Sequence, residues 1–376
     1  MKIAINKSGY EKIKKRMPWI YANEAEIVPD VDKGSVVELV YNGKFVAKAF
    51  YNPNSKIIAR ILSFEDINID RRFFKRRIER AVLKREFKNT NSYRLIHSEA
   101  DFLPGLIADK YGDNLVVSFT SAGTDNYKGI ILEILKELLN PKGIYEKGDN
   151  IRKKEGLEVI SRVLDGNVDD EFIIEENGFK FLTNLKEGQK TGFFLDQRKN
   201  RKIVANYSGE KTLDLFSNAG GFGIYAKAKF TKFVEISELA CSQIEKNCEL
   251  NDMDNYEIHK ADVFKFLESE REKYDLIIID PPAFAKNKNA KKGALKGWKY
   301  LIVNALKLLN RGGYLALFSC SHSINAKDLC DLALSSAIID NSYLEVMEFL
   351  KQDIDHPYVL NIPNSLYLTG VLLRKV

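Results

Sequence analysis

At 376 residues the chain is too long for one typical core, and two or three domains are expected. Hydrophobic residues make up 45% and charged residues 29%, an ordinary globular balance, and no apolar run approaches the roughly 20 residues that span a membrane. The net charge of +6 is unevenly spread: residues 1–90 hold 20 Lys/Arg against 11 Asp/Glu, a net of +9, and the remainder is net −3. A basic first quarter is either a solvated face or a nucleic-acid surface, because phosphate contacts need Lys and Arg. The start, Met1 to Lys7, lacks the apolar core of a signal peptide. Four cysteines (Cys241, Cys248, Cys320, Cys330) form no Cys-x-x-Cys pair, so neither a disulfide framework nor a zinc site is suggested. A cytoplasmic location without metal follows as an expectation.

Residues 1–70 read as a small β-rich domain. Val36–Val40 and Phe45–Phe50 flank Tyr41-Asn42-Gly43-Lys44, and Asn-Gly between apolar runs is a strong hairpin signal. Ile57–Leu62 is a third strand. Lys12, Lys14, Lys15 and Arg16 near Trp19 and Tyr21 mix cations with aromatics as RNA-binding surfaces do. Residues 71–88 predict a basic helix with an apolar stripe of Phe73, Phe74, Ile78, Ala81 and Val82. Its Arg71, Arg72 and Arg76 are candidate phosphate contacts, or simply a solvated face. Residues 71–185 then read as a central α+β domain. It has strands at 115–119 and 143–146, a helix over 127–139 stopped by Asn140-Pro141, and a second Asn-Gly hairpin at Asn177-Gly178.

Strand–helix alternation follows, and residues 186–376 form the third expected domain. Strands are predicted at 212–216, 230–235, 256–259, 276–279 and 314–319. Helices follow them through 224–228 and over 238–251, 263–272, 298–309 and 326–339. Tyr367–Leu373 is expected as an apolar edge segment. Repeated βα units mean a Rossmann-like, doubly wound parallel sheet.

The carboxyl ends of these strands carry the chemistry. The first opens a Gly-rich turn, Asp214-Leu-Phe-Ser-Asn-Ala-Gly-Gly-Phe-Gly223, in which Asp214, Phe216, Asn218, Gly220 and Gly221 are candidate cofactor contacts. It is neither Gly-x-Gly-x-x-Gly nor a phosphate loop. Glu235, beside Ile236, suits the two hydroxyls of a ribose. Asp262, beside Val263, could hold an adenine amine. Asp280 and Pro281 end the fourth strand. Each acid alone is more simply a helix cap or a surface charge; four successive strand ends together make a nucleoside crevice. An adenosine cofactor without a phosphate loop suggests S-adenosylmethionine rather than ATP.

In Asp280-Pro281-Pro282 the prolines stiffen the chain and fix a carboxylate toward a planar substrate. Cys320 ends the fifth strand between Ser319 and Ser321, where a thiolate can attack an electron-poor pyrimidine. The other three cysteines read as helix-face packing, and His322 as a neighbouring loop residue. Lys286, Lys288, Lys291, Lys292, Lys296 and Lys299 form a lysine-rich segment, a solvated loop or a grip on a polyanion. Pro282 and Phe284 join Lys286, Lys288, Lys291 and Lys292 as candidate RNA contacts.

Five stretches carry a family resemblance: Glu99-Ala-Asp-Phe-Leu-Pro-Gly-Leu106, Lys190-Thr-Gly-Phe-Phe-Leu-Asp-Gln-Arg198, Asp214 to Phe222, Asp280-Pro-Pro-Ala-Phe284 with Lys288, and Phe318-Ser-Cys-Ser321. In these the chain resembles the bacterial and archaeal 23S rRNA methyltransferases that form 5-methylcytosine and carry an N-terminal PUA domain, a β-barrel-like RNA-binding module. The resemblance implies S-adenosylmethionine as cofactor and rRNA as partner. It also implies that Thr191, Phe193, Asp196, Gln197 and Arg198 lie beside the cofactor and that Cys320 is the nucleophile. Asp280 then orients the base. A homodimer is kept open. The chain departs from the family's pattern at Phe102, often Gly, and Glu235, often Asp. Two alternatives stand: a base-nitrogen methyltransferase of the same fold, which needs no thiol, and a non-catalytic RNA-binding assembly factor.

Overall fold

The computed structural model describes residues 1–27, 30–185, 192–284, 291–321 and 323–376. Its contacts divide the chain into two units. The first is built from Met1–Glu171, Asn184–Gly192 and Ile354–Ser365; the second from Phe172–Thr183, Phe193–Asp353 and Leu366–Val376.

The first unit holds two sheets. Strands β1 (Lys2–Ile5), β2 (Trp19–Tyr21), β3 (Ala25–Ile27), β4 (Val36–Tyr41), β5 (Lys44–Tyr51) and β6 (Ile57–Ser63) form a six-stranded sheet of order β2-β6-β5-β4-β1-β3. Helix α1 (Lys7–Lys14) follows β1, and the Asn6 side chain caps it by accepting from the Gly9 N–H. The β4–β5 turn is Asn42-Gly43, with φ of 49° and 75°, the paired positive values that the Asn-Gly signal demands. Strands β7 (Ser92–His97), β8 (Leu106–Tyr111), β9 (Asn114–Phe119), β10 (Gly143–Glu146) and β11 (Arg162–Gly166) form the second sheet, of order β11-β10-β9-β8-β7.

Helices α2 (Arg71–Leu83), α3 (Ala122–Asn126) and α4 (Lys128–Leu139) accompany the second sheet. Phe73, Phe74 and Ile78 of α2 share one core with Ile131, Ile134 and Leu135 of α4, and with Phe50 and Leu62 from the first sheet. That shared core is why residues 1–70 and the following α+β stretch do not separate into two units.

Helix α2 is shorter than the basic run suggested. It stops at Leu83, and Arg85 turns inward to meet Asp101 (Nη2–Oδ2 2.6 Å).

The hairpin of β12 (Glu171–Glu176) and β13 (Phe179–Asn184), expected at the end of the central domain, groups instead with the second unit. Its anchors explain this. Phe181 packs against Phe193, and the Leu182 and Lys180 N–H groups donate to Asn247 and Asn251. Ile354–Ser365 belongs to the first unit because Asp355 accepts from the Arg94 N–H and its carbonyl accepts from Arg85.

The second unit is the doubly wound sheet. Strands β14 (Lys211–Leu215), β15 (Phe230–Glu235), β16 (Tyr256–Lys260), β17 (Tyr274–Ile279), β18 (Leu309–Ser319), β19 (Leu344–Lys351) and β20 (Thr369–Lys375) take the order β16-β15-β14-β17-β18-β20-β19. The first five are parallel, and β20 and β19 pair antiparallel.

Alternate residues of β17 enter opposite cores. Ile277 and Ile279 face one that includes Trp298 and Leu329; Leu276 and Ile278 face one that includes Val204 and Phe222. Helices therefore cover both faces, and β17 reads as a continuous apolar run. Those helices are α5 (Arg198–Ala205), α6 (Gly221–Ala226), α7 (Glu238–Leu250), α8 (Val263–Ser269), α9 (Lys291–Leu308) and α10 (Ala326–Asp340).

Two expectations are corrected. The apolar segment at 367–373 is not an edge: β20 lies between β18 and β19, with Val371 and Leu372 fully buried. Helix α9 begins at Lys291 rather than Trp298. Ala294, Trp298, Leu301, Ile302 and Ala305 carry the apolar stripe back one turn, so Lys292, Lys296 and Lys299 stand on its exposed face rather than in a loop.

Candidate functional site

The site lies along the carboxyl ends of β15, β14, β17 and β18 in the second unit. In the turn after β14 the backbone winds through left-handed positions at Phe216 (φ 61°), Asn218 (φ 49°) and Gly220 (φ 76°). Gly223 is needed for packing, since a Cβ there would come within 2.3 Å of the Phe233 ring. Gly221 lies against Arg201, whose side chain would be 3.0 Å from an added Cβ.

Glu235, the last residue of β15, is half-buried. Its Oε2 accepts from the Asn218 N–H (2.9 Å), and its Oε1 from the N–H groups of Ile236 and Ser237. These bonds tie the Gly-rich turn to the next strand and hold the carboxylate at the edge. Ile236 is exposed, while Val263 and Pro281 are buried. Asp262 caps α8 by accepting from the Lys265 N–H, so the simple reading of this acid is fulfilled. Capping uses one oxygen of a half-buried carboxylate, which leaves acceptor capacity on the group.

Asp214 is inside the fold. Its Oδ2 accepts from the Gly223 N–H (2.9 Å). Burial first, then the nearby charges of Asp280 and Glu235, push its carboxyl well above the usual range, against the hydrogen bond, which lowers it. Ionising Asp214 therefore costs the folded state more than the unfolded chain. Stability then falls as pH rises above the ordinary aspartate range, near about pH 4, through the raised folded value. Asp214→Asn keeps an oxygen for the Gly223 N–H and removes that dependence. Its melting temperature relative to wild type should climb steadily with pH; a difference flat across pH would show that Asp214 is ionised throughout.

Asp280 follows β17, and its Oδ2 accepts from Gln197 Nε2 (2.8 Å). Asn200 in turn donates to Gln197 Oε1 (2.6 Å) and fixes the amide's orientation. Arg198 pairs with Asp353 (Nη2–Oδ2 2.7 Å), and Tyr367 donates to Asp196 Oδ2 (2.7 Å). Phe193 is buried, with the Arg201 guanidinium 4.7 Å from its ring. Sequence reasoning missed Asn200, Asp353 and Tyr367. The last two lie more than 150 residues from their partners, and nothing local in the sequence marks them.

Cys320 is half-buried and immediately follows β18, which lies beside β17 in parallel register with Ile279 opposite Leu317. Asp280 and Cys320 thus leave the sheet from the same edges of adjacent strands. Pro282 is exposed; Phe284 packs among Phe216, Phe264 and Trp298. Lys291 pairs with Asp328 (2.9 Å), while Lys292 is exposed. In the first unit, Arg71 pairs with Glu137, and Arg72 and Arg76 are exposed. Thr191, Lys286, Lys288 and His322 lie outside the described residues. Among the described residues, no group of three or more His, Cys, Asp or Glu could hold a metal ion, and no helix is long and apolar enough to cross a membrane.

This donor set, acids at the strand ends without the Gly-Lys-Ser/Thr of a phosphate loop, fits a nucleoside with free ribose hydroxyls.

Comparison with known proteins agrees. Residues 3–64 match a PUA-like domain, and residues 151–361 match the S-adenosylmethionine-dependent methyltransferase family. Over 393 aligned residues, 100% of this chain and 99% of the relative, the sequence is 36% identical to the ribosomal RNA large subunit methyltransferase I of Tolumonas auensis. Two solved structures share the fold over 100% of both chains. One is a methyltransferase complexed with SAH (TM-score 0.86, 24% identity), and the other is an S-adenosylmethionine-dependent methyltransferase from Streptococcus mutans (TM-score 0.85, 23% identity). The chain belongs to the ribosomal RNA large subunit methyltransferase I family, S-adenosylmethionine-dependent enzymes with a PUA-like N-terminal domain.

Proposed function

We propose that this enzyme methylates carbon 5 of a cytosine in 23S ribosomal RNA, in the cytoplasm, through a covalent adduct on Cys320. The observation that carries this is the thiol at the end of β18, beside the strand that ends in Asp280. S-adenosylmethionine supplies a methyl group on a sulfonium, with Glu235, Asp262, the 216–221 turn and the 193–198 segment as the residues that would hold it. The target base leaves its stack to reach the edge. The Cys320 thiolate adds to carbon 6, which places negative charge on the ring and makes carbon 5 nucleophilic. Asp280, oriented by Gln197, hydrogen-bonds the pyrimidine and stabilises that charge. Carbon 5 takes the methyl group, a base removes the carbon 5 proton, and the thiolate leaves as the ring double bond reforms. A homodimer remains compatible with this scheme, which needs only one chain's residues.

RNA carrying 5-fluorocytidine tests the chemistry. Fluorine cannot leave as a cation, so the methylated adduct stays on Cys320. A band of protein plus RNA that survives denaturation is expected, dependent on S-adenosylmethionine. Methyl transfer to such RNA without any covalent complex would favour a base-nitrogen methyltransferase, since nitrogen already has a lone pair and needs no thiol.

A further inference from the structure

The first unit carries a cleft of about 690 Å³ whose wall is unusually cationic. Arg72, Arg76, Arg77 and Arg80 line it from α2, four residues spaced to share one helix face. Arg16 and Phe102 line it from elsewhere in the unit.

The remaining basic residues of this region are neutralised. Arg71 and Lys75 pair with Glu137, and Arg85 is buried against Asp101. Among the described residues, none of Arg16, Arg72, Arg76, Arg77 and Arg80 pairs with a carboxylate. Three acids also line the cleft, two of them with partners: Asp70 caps α2 through the Phe73 N–H, and Glu99 binds Arg60 and Trp19. Glu65 is the third.

Arg77 is held in place rather than neutralised. Its two terminal nitrogens donate to the carbonyls of Phe102 and Leu62, and its guanidinium lies 4.1 Å from the Phe73 ring centroid. Burial, then the charges of Arg80 and Arg76, push it down to about 10. Five arginines line the cleft against three acids, one of which, Glu99, already serves Arg60, so positive charge is left over for a ligand.

Phe102 supplies the second observation. It holds a left-handed backbone (φ 61°), rare for a bulky residue, and its side chain is 40% exposed. Arg77 and Arg80 lie 6.0 and 5.7 Å from its ring centroid. Arg16 is left-handed too (φ 57°), with its guanidinium 4.5 Å from Phe64. An exposed aromatic ring set among guanidiniums without carboxylate partners is what single-stranded nucleic acid requires.

We propose that this cleft is an RNA subsite, in which the α2 arginines grip successive backbone phosphates and Phe102 stacks on one unpaired base. It rests on the RNA-methyltransferase reading and adds a place where the first unit holds the substrate. An acidic protein segment would satisfy the charge but would have no use for the exposed ring.

The test uses the full chain and a fluorescent single-stranded RNA of roughly 12 nucleotides, followed by anisotropy across a salt series. Phe102→Gly suits the left-handed backbone, so it should melt at or above the wild-type temperature. It should weaken RNA binding roughly tenfold. Arg76→Ala with Arg80→Ala should reduce the slope of log affinity against log salt by about 1.4, two phosphate contacts on a single strand. S-adenosylmethionine binding, measured by calorimetry, should stay at the wild-type level in both variants. Variants that match wild type in RNA affinity and slope overturn the subsite and leave the methyltransferase reading standing. Variants that keep RNA affinity but lose binding to poly-glutamate overturn it in favour of an acidic protein ligand. A wild-type chain that binds S-adenosylmethionine but no RNA overturns both readings.

Discussion

Cys320→Ala should bind S-adenosylmethionine as wild type does and lose at least about 10⁴-fold in turnover on RNA. Without the thiolate, carbon 5 of cytosine has no electron pair to offer, so no arrangement of the other groups rescues the reaction. At the conversion of 1.36 kcal/mol per factor of ten, that loss is ~5.5 kcal/mol of barrier. The substitution removes one sulfur from a half-buried site past the end of β18, so the fold should survive. Turnover within tenfold of wild type would sink the nucleophile and leave the base-nitrogen reading in its place.

The other three cysteines are internal controls. Burial raises the thiol pKa of Cys241 and Cys330, and Cys248 is pushed up to about 12, chiefly by burial with Glu245 and Glu249 adding to it. All three sit on helices α7 and α10, and Cys248 and Cys330 touch apolar neighbours. A thiol so strongly protonated offers little thiolate at neutral pH. Their alanine variants should turn over near the wild-type rate, so the contrast isolates Cys320.

The order of strand ends was legible in the sequence because it depends on local signals. Apolar runs of strand length alternate with helical stripes, and Glu235, Asp262, Asp280 and Cys320 each follow such a run. Both Asn-Gly hairpins were legible for the same reason: positive φ at two adjacent residues is a local demand.

What could not be read depends on partners distant in the chain. An apolar run looks alike at an edge and in the interior, so β20 revealed its place only once β19 closed the sheet beside it. The Arg198-Lys-Asn-Arg-Lys run looks solvated, yet Arg198, Asn200 and Arg201 are buried. The partners of the two arginines, Asp353 and Glu176, lie on either side in sequence and outside any local window. The same holds for α2, whose arginines look equivalent until Glu137 and Asp101 take some of them and leave the others unpaired.

Glu176→Ala should be the most damaging change that touches no atom proposed to meet substrate or cofactor. Glu176, at the end of β12, accepts from Arg201 Nε and Nη2, both at 2.8 Å, and from the Tyr225 hydroxyl at 2.8 Å. Burial alone would lower the Arg201 guanidinium, but the Glu176 carboxylate overrides it and holds the group above its ordinary value. Removing the acid strands a buried cation, a loss of about 3–5 kcal/mol. For a unit of this size that is a drop of roughly 10 °C in melting temperature.

The damage should reach the site. Arg201 Nη1 also donates to the Phe194 carbonyl (3.0 Å), two residues before Asp196 and three before the Gln197 that orients Asp280. S-adenosylmethionine affinity should therefore weaken about tenfold, a ~1.4 kcal/mol change, in protein kept below its melting transition. Glu176→Gln keeps an acceptor for Arg201 and Tyr225 without the charge, so it should fall between the two. Replacing both partners with apolar residues, Glu176→Leu with Arg201→Met, removes the stranded charge and should recover much of the melting temperature. Cofactor affinity in that double variant should stay low, because the bond from Arg201 Nη1 to the Phe194 carbonyl is lost. Recovery of both together would mean that the ion pair serves stability alone.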